Sequence, residues 1–219
     1  MQPPVSLDSF DQRARQDFLT VVGAFNTDTD DGIGNGTLVL LGPCEPGYWA
    51  QVTAAPEFND GAPDPIDRWS KRVITILATE VGGQAFFPFG KPERPFISWA
   101  LKGGACHVSP VSLLVHATQG LMVSFRGAVL LPNALPLPPV RPSPCETCRD
   151  KPCLTACPSL ALTQSGYDLD LCHDYLDTGP GQLCLSQGCS VRRSCPAGGD
   201  YDRVSAHSAY HMEQFHPCP

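Results

Sequence analysis

The stretch 145–158 reads CETCRDKPCLTACP and places four cysteines within thirteen residues. A looser set follows along the chain and, like the first, ends in a cysteine–proline pair: Cys172, Cys184, Cys189 and Cys195. Eight cysteines match what two 4Fe–4S clusters need, because each cluster is held by four thiolates. The sequence therefore predicts a loop-rich segment built around two iron–sulfur clusters.

The cysteine–proline pairs predict how the ligands are shared. A C-x2-C turn points its thiolates at one centre, whereas a cysteine before a proline leaves that turn and ligates the other cluster in two-cluster ferredoxins. On this rule the first quartet is Cys145, Cys148, Cys153 and Cys195. The second quartet is Cys157, Cys172, Cys184 and Cys189. The gap of four residues between Cys148 and Cys153 is longer than in a bacterial ferredoxin, so the extra residues have to bulge outward.

Two other chemistries stay open for these cysteines. Zinc also accepts four thiolates with C-x2-C corners, although its ligands usually come in close pairs, and here only Cys145 and Cys148 form such a pair. Disulfides need an oxidising compartment, which nothing in the sequence indicates. The remaining cysteines are predicted to be ordinary thiols and not ligands: Cys44, Cys106 and Cys218.

Length and charge restrict the possible functions. A chain of 219 residues suffices for one or two domains with a hydrophobic core. The net charge of −7 argues against nucleic-acid binding, which needs a basic face. No apolar leader follows a basic start, and no apolar run approaches the roughly 18–20 residues that span a bilayer. We therefore expect a cytoplasmic protein with neither a nucleic-acid partner nor a membrane partner.

A proline-rich stretch suggests a domain boundary. The segment LPNALPLPPVRPSP, 131–144, carries six prolines and predicts an extended, semi-rigid connector. We expect an α+β or α/β domain over 1–133, a linker over 134–144, and the cysteine-rich segment with a C-terminal helix over 145–219.

Periodicity predicts the elements of the first domain. Apolar residues at steps of three and four predict a helix over 6–25. The stretch DPIDRWSKRVITILATEVGG, 64–83, predicts a helix with Asp64 as its N-cap and Gly82 just past its end. The inner face of that helix would carry Ile66, Trp69, Val73, Ile76 or Leu77, and Val81. Two other stretches predict strands: 37–43 as one buried strand, and 113–131 as two strands joined by a short turn.

The cysteine pattern is similar to that of a known group of enzymes. The order of four clustered cysteines, a solitary one in GYDLDLCHDYL and a final cysteine–proline pair resembles the C-terminal cluster region of epoxyqueuosine reductase and the reductive dehalogenases. The resemblance covers residues 144–200. It implies a ferredoxin-like segment whose two 4Fe–4S clusters pass single electrons to a cobalamin. It also implies an electron-donor protein as partner, such as a flavodoxin, a ferredoxin or a reductase.

The first half resembles a second family. The stretches DPIDRWSKRVITILATEVGGQAFFPFG and SLLVHATQGLMVSFRGAVLLPN are similar to the cobalamin-processing, CblC-type proteins over residues 37–133. This resemblance implies a nitroreductase-like α/β domain that takes a corrinoid, or else a flavin, as cofactor or substrate. The cofactor-binding residues implied are Phe86, Phe87, Phe89, His116 and Arg126.

Each of these residues also has a structural interpretation. The FFPFG run, 86–90, can be a strand end entering the core, His116 a hydrogen-bonded structural histidine, and Arg126 a cap on the sheet. Positive charge from the Arg192–Arg193 pair can raise the potential of a nearby cluster or simply be solvated. His207 and His211, four apart on a predicted helix, can bind zinc, although docking of that helix onto the domain fits its neighbours better.

Three hypotheses about function follow. The favoured one is an oxidoreductase whose clusters deliver electrons to a corrinoid or another small molecule on the first domain. The second is a two-cluster electron carrier without an active site of its own. The third is a zinc-stapled structural or interaction protein. No catalytic triad, P-loop or dinucleotide-binding glycine motif is present in the sequence, so hydrolase, kinase and Rossmann interpretations lack support.

Overall fold

A computed structural model describes residues 5–217, which form a mixed α+β fold with small antiparallel sheets. The helices are α1 (Leu7–Arg15), α2 (Gly47–Thr53), α3 (Pro56–Asn59), α4 (Pro65–Glu80), α5 (Phe96–Lys102), α6 (Pro144–Thr147), α7 (Leu169–Leu176), α8 (Gln182–Gln187), α9 (Ser190–Arg193) and α10 (Ser205–Phe215). The strands are β1 (Leu19–Asn26), β2 (Thr37–Pro43), β3 (Gln84–Phe86), β4 (Cys106–Val108), β5 (Leu114–His116), β6 (Gly127–Leu131), β7 (Leu162–Thr163) and β8 (Gly166–Tyr167).

The chain divides into two compact units, and the division is discontinuous in sequence. The first unit contains the chain up to Ala105 together with Ser124–Arg141, and the second contains Cys106–Val123 together with the chain from Pro142 onward. The sequence predicts a first domain over 1–133, which includes 106–123. The structure groups this segment with the cysteines instead, because its apolar side chains Val115 and Leu121 join their core.

The expected linker is anchored within the first unit. The amide of Leu135 donates to Thr37 Oγ1 at 2.8 Å, and Asn26 Nδ2 donates to the carbonyl oxygen of Leu135 at 3.1 Å. The extended segment is therefore held at Leu135, whose amide is satisfied by a β2 side chain and whose carbonyl oxygen is satisfied by a β1 side chain.

The first unit is built on a four-stranded antiparallel sheet in the order β1–β2–β6–β3. All residues of the central strands β2 and β6 are buried, as expected for strands with neighbours on both edges. The predicted strand over 37–43 is confirmed. Helix α4 packs against β6 and β3.

Helix α4 confirms most of its sequence-based prediction. It starts at Pro65, whose missing amide proton costs nothing at the first helical position. Gly82 follows its end with φ +64°, the left-handed conformation that glycine adopts without strain. Asp64 occupies the N-cap position, but its backbone is left-handed and its side chain makes no capping hydrogen bond. Leu77 is fully buried and Ile76 is 47% exposed, so Leu77 is the residue that faces the core.

The predicted helix over 6–25 is wrong beyond Arg15. Ser6 and Ser9 form a capping box at its start, and the helix ends before the left-handed Phe18 at φ +54°. Residues 19–26 form β1 because the β-branched residues that follow Phe18 favour extended backbone, and pairing with β2 satisfies their backbone groups.

The two strands predicted within 113–131 both exist, but they do not pair with each other. β5 pairs with β4 in the second unit, whereas β6 pairs with β2 and β3 in the first. The fully apolar β6 needs a neighbour on each edge, and β2 and β3 supply both.

The second unit has its own apolar core, into which cysteines are packed. Its buried members are Val111, Val115, Leu121, Cys153, Leu162 and Val191. Four cysteines and one alanine of the cysteine-rich segment lie partly buried against this core: Cys145, Cys157, Cys189, Cys195 and Ala156. No helix formed by residues 5–217 has the length and apolar character needed to cross a bilayer.

Candidate metal centre

The first quartet is assembled from two chain segments. Cys145 lies in α6, which Ser143 caps through its side chain, and Cys148 directly follows that helix. Cys153 lies in the short 3-10 turn Pro152–Leu154 and is 8% exposed. Cys195 precedes a similar turn that begins at Pro196. Cys195 thus comes from a later segment to the recess that Cys145, Cys148 and Cys153 also line.

These four cysteines lie together, because all of them line one recess. Burial raises the pKa of the Cys153 thiol, and negative charge on Cys145, Cys195 and Cys148 raises it further. The pKa of Cys145 is also raised, first by burial and then by charge on Cys195 and Cys148, although a hydrogen bond with Ser143 opposes the shift. The predicted members of the first quartet are thus close enough to influence one another.

A recess opens between these thiols. It has an empty volume of about 350 Å³, including space open to solvent. Its walls contain the whole first quartet and the apolar residues Val115 and Leu121 from the 106–123 segment. Gly120 lies against the same site: a Cβ atom at that position would be 2.9 Å from Cys195 Sγ and 2.6 Å from the Gly198 amide nitrogen. The glycine therefore lets the backbone approach the cysteine closely.

The second quartet is assembled from helix ends. Cys172 lies within α7, the buried Cys184 within α8, and Cys189 directly before α9. Cys157 precedes the turn at Pro158. Burial raises the pKa of Cys172, a hydrogen bond from Tyr167 opposes this, and negative charge on Cys189, Cys157 and Cys184 raises it again. The pKa of Cys172 is thus influenced by each of its three predicted partners.

Hydrogen-bond donors surround the sulfurs of the second quartet. Tyr167 donates its hydroxyl proton to Cys172 Sγ at 3.4 Å. The Leu162 amide donates to Cys157 Sγ at 3.5 Å, and Ser159 Oγ lies 3.6 Å from the same sulfur. Burial raises the pKa of Cys157, but these donors, with the amides of Ser159 and Ala161, lower it below its ordinary value overall. Such contacts stabilise a thiolate.

The side chain of Cys184 has a hydroxyl neighbour of the same kind. Ser190 Oγ lies 3.4 Å from Cys184 Sγ, and Arg193 Nη2 donates to that oxygen at 3.2 Å. The arginine charge therefore acts on the quartet through a serine. Arg192 instead donates to the carbonyl oxygen of Leu121, so neither member of the predicted pair is merely solvated.

The donor set is compatible with two iron–sulfur clusters. All ten cysteines among residues 5–217 are free thiols. Eight of them form the two quartets, and thiolates are the ligands that 4Fe–4S clusters require. Within the described residues, no three His, Cys, Asp or Glu side chains converge on a position suited to a single metal ion. A cubane distributes its four thiolates over four iron atoms, so its ligands lie farther apart than those of one ion.

The other cysteines lie outside the quartets. Cys106 is buried in β4, and burial raises its pKa to about 12, so it stays a protonated thiol. Cys44 is half-buried with Arg15 Nη1 at 3.4 Å from its sulfur, and burial raises its pKa. Cys218 lies outside the described residues.

The predicted cofactor residues are divided between the units. In the first unit Phe86 is buried at the end of β3 with its ring against Trp99, while Phe87 and Phe89 stack on each other at 5.2 Å. Arg126 donates from Nε to the Phe125 carbonyl oxygen and lies 3.7 Å from Asp67. These contacts suit a structural ion pair at the sheet.

His116 lies in the second unit, at the end of β5. Its Nδ1 accepts hydrogen bonds from the amides of Thr118 at 3.2 Å and Gln119 at 3.1 Å. The histidine therefore shapes the tight turn that leads to Gly120, which matches its structural interpretation. On α10, His207 is buried and its Nε2 lies 3.2 Å from His211 Nε2, while the helix packs against α8, as the docking interpretation expected.

Sequence reasoning missed the residues that support the thiols. Tyr167, Ser159 and Ser190 contact sulfur atoms, and Gly120 and Leu121 shape the recess from a distant segment. Tyr167 stands five residues before Cys172, and Ser190 directly follows Cys189, so their proximity to a predicted ligand was a usable signal. The role of 106–123 had no local signal, because it depends on long-range packing.

Comparisons with known proteins identify no relative: no family model, no curated protein and no solved structure matches this chain.

Proposed function

We propose that this protein is an iron–sulfur oxidoreductase whose second unit holds two 4Fe–4S clusters, one on each cysteine quartet. The observation that supports this most strongly is that all four cysteines of the predicted first quartet line one recess, although Cys195 lies in a later segment than the other three. When bound, the clusters would supply one-electron transfer at a potential set by their surroundings. The ferredoxin-like character of this unit belongs to the same proposal.

The residues of the chain contribute ligation and shielding. Cys153 and Cys184 are nearly buried, so one thiolate of each quartet would be shielded from water. Gly120 gives Cys195 room beside the backbone, and Val115 with Leu121 supplies an apolar wall to the first quartet. Amide and hydroxyl donors stabilise negative charge on the sulfurs of the second quartet.

The electron acceptor is the second part of the proposal. The likeness of residues 37–133 to CblC-type proteins favours a corrinoid on a nitroreductase-like first unit, with a flavin as the other planar cofactor of such domains. The stacked pair Phe87–Phe89 offers an aromatic surface suited to either. A one-electron carrier of the flavodoxin or ferredoxin class would supply the electrons.

Metal analysis of anaerobically purified protein tests the proposal. We expect about eight iron and eight sulfide per chain, with broad absorption near 400 nm that bleaches on reduction. Stoichiometric zinc without iron would replace the proposal with the zinc-stapled alternative. Titration with cobalamin, followed by absorbance, tests the acceptor. An unchanged cobalamin spectrum in the presence of reducible clusters would favour the alternative of an electron carrier without its own active site.

A further inference from the structure

The two quartets differ in the number of donors that face their sulfurs. Within residues 5–217, the second quartet has three side-chain hydroxyls at sulfur, from Tyr167, Ser159 and Ser190, besides the amides of Leu162, Ser159 and Ala161. The first quartet has one side-chain hydroxyl, from Ser143, and the amide of Cys153 itself. Burial does not distinguish the quartets, because each has one nearly buried and three partly buried cysteines.

The two serines are placed to donate to sulfur when the cysteines are thiolates, which carry no proton of their own. Ser159 Oγ accepts from the Ala161 amide at 3.4 Å, and Ser190 Oγ accepts from Arg193 Nη2 at 3.2 Å. An oxygen that accepts from one side keeps its own proton for another acceptor, and the nearest sulfur is that acceptor in both cases.

Tyr167 is held in the same donating role. Its ring stacks on Phe215 with centroids 6.4 Å apart, which restrains the hydroxyl over Cys172. The same hydroxyl donates its proton to Cys172 Sγ at 3.4 Å.

Resting on the proposed function, we propose that the second quartet holds the cluster of higher reduction potential, and that the hydroxyls of Tyr167, Ser159 and Ser190 produce the difference. Hydrogen bonds to ligand sulfur stabilise the more negative, reduced state and so raise the potential. The first electron from a one-electron reductant would then reside on the second quartet. In that step the reductant is oxidised and one cluster reduced, and no bond in the protein forms or breaks.

Three charged side chains near the quartets act in the opposite sense but are screened, whereas Arg193, which donates to Ser190 Oγ, acts in the same sense as the hydroxyls. Lys151 beside the first quartet, and Asp170 and Asp174 on the helix of Cys172, would favour the reverse order of potentials. All three are exposed, where water and salt weaken their effect.

A redox titration with dithionite, followed by electron paramagnetic resonance, tests the inference on the full-length protein. We expect two one-electron steps. Tyr167→Phe should make the higher-potential step about tenfold less favourable, which is about 59 mV for a one-electron couple, and leave the lower step in place. Tyr175→Phe is the matched control and should shift neither step. Ser143→Ala should lower only the lower-potential step.

The outcomes separate this inference from the proposed function. A protein without iron overturns the proposed function. Two intact clusters with a Tyr167→Phe variant that shifts the lower step, or neither step, overturn the inference alone. If Tyr167→Phe does not retain its iron, Ser190→Ala removes a hydroxyl at a different cysteine of the same quartet and has to shift the same, higher step.

Discussion

Arg192 donates a hydrogen bond from Nη1 to the carbonyl oxygen of Leu121 at 2.5 Å. This contact joins α9, in the cysteine-rich part of the chain, to a segment that lies some seventy residues earlier. The carbonyl belongs to the residue that follows Gly120 and forms part of the recess of the first quartet. The early segment is therefore a structural part of the candidate metal centre.

Removal of this guanidinium should loosen the 106–123 segment. Arg192→Met keeps much of the aliphatic length but loses a hydrogen bond from a charged donor, worth about 1.5–3 kcal/mol. We expect a lower midpoint of thermal unfolding and faster amide hydrogen exchange in residues 106–123. Arg149→Met, at an exposed position near the first quartet, is the control and should change neither. Unchanged exchange in the Arg192 variant would show that packing alone holds the segment.

Substitution of Gly120 should cost the first quartet its metal. In Gly120→Ala the new Cβ would lie 2.9 Å from Cys195 Sγ, and φ is +55°, so the backbone or the cysteine has to move. We expect iron to fall from about eight to about four per chain. Gly82→Ala has a similar φ of +64° but meets nothing within 4 Å, so it should lower stability by about 1 kcal/mol and leave iron content intact. Equal iron loss in both variants would contradict a local effect at Cys195.

The ligand assignment is tested by serine substitution. Cys153→Ser removes a nearly buried thiolate from the first quartet and should lose one cluster, about four iron per chain, with much of the order in the second unit. Cys106→Ser changes a buried thiol of the same unit that belongs to neither quartet, and Cys218→Ser changes one outside the described residues. Both should keep their iron. A Cys153 variant with full iron content would show that the assignment is wrong.

The first unit should lose stability in acid through Glu57. Arg72 donates to Glu57 from Nε at 2.5 Å and from Nη2 at 3.0 Å, and this hydrogen bonding lowers the pKa of Glu57 in the folded state. A folded pKa below the unfolded one adds stability above the unfolded value of about 4.3, and this is lost as pH falls through the folded pKa.

The variant Glu57→Gln measures that contribution. Because Arg72 is about half exposed, we expect a loss of about 0.5–1 kcal/mol in the free energy of unfolding at pH 7, shrinking towards zero near pH 3. Denaturant unfolding at both pH values gives the comparison. Glu93→Gln removes an exposed partner of Lys91 and should have almost no effect at either pH. A loss for Glu57→Gln that stayed constant with pH would point to packing and not to charge.

Local signals predicted α4 well and β1 poorly, for a physical reason. A proline start, a left-handed glycine after the end and an apolar face act within the helix itself. In 19–26, apolar residues at Val21, Val22 and Phe25 satisfy helical spacing as well as a buried strand. Pairing with β2 decides between the two, and that pairing is a tertiary interaction.

The candidate site shows the same division between local and distant information. Cysteine order and the two cysteine–proline corners predict two quartets, and the structure places the four cysteines of the first quartet around one recess; that they bind metal stays a prediction. Cysteine order does not predict which strand pairs with β5. The ladder between β4 and β5 is only three residues long, and so short an apolar stretch would suit pairing with β4 or with β6 equally well. His116 was consequently placed beside Arg126 on a common sheet, although the two lie in different units.

The two units alternate along the sequence. The chain enters the second unit at Cys106, returns to the first at Ser124 to form the central strand β6, and enters the second again at Pro142. During synthesis, residues 106–123 emerge before Cys145 and can pair β4 with β5, but their apolar side chains have to wait for the later half of their core. Completion of the cysteine-containing unit is thereby deferred until Cys195 has been synthesised, and no single cut in the gene separates one unit from the other.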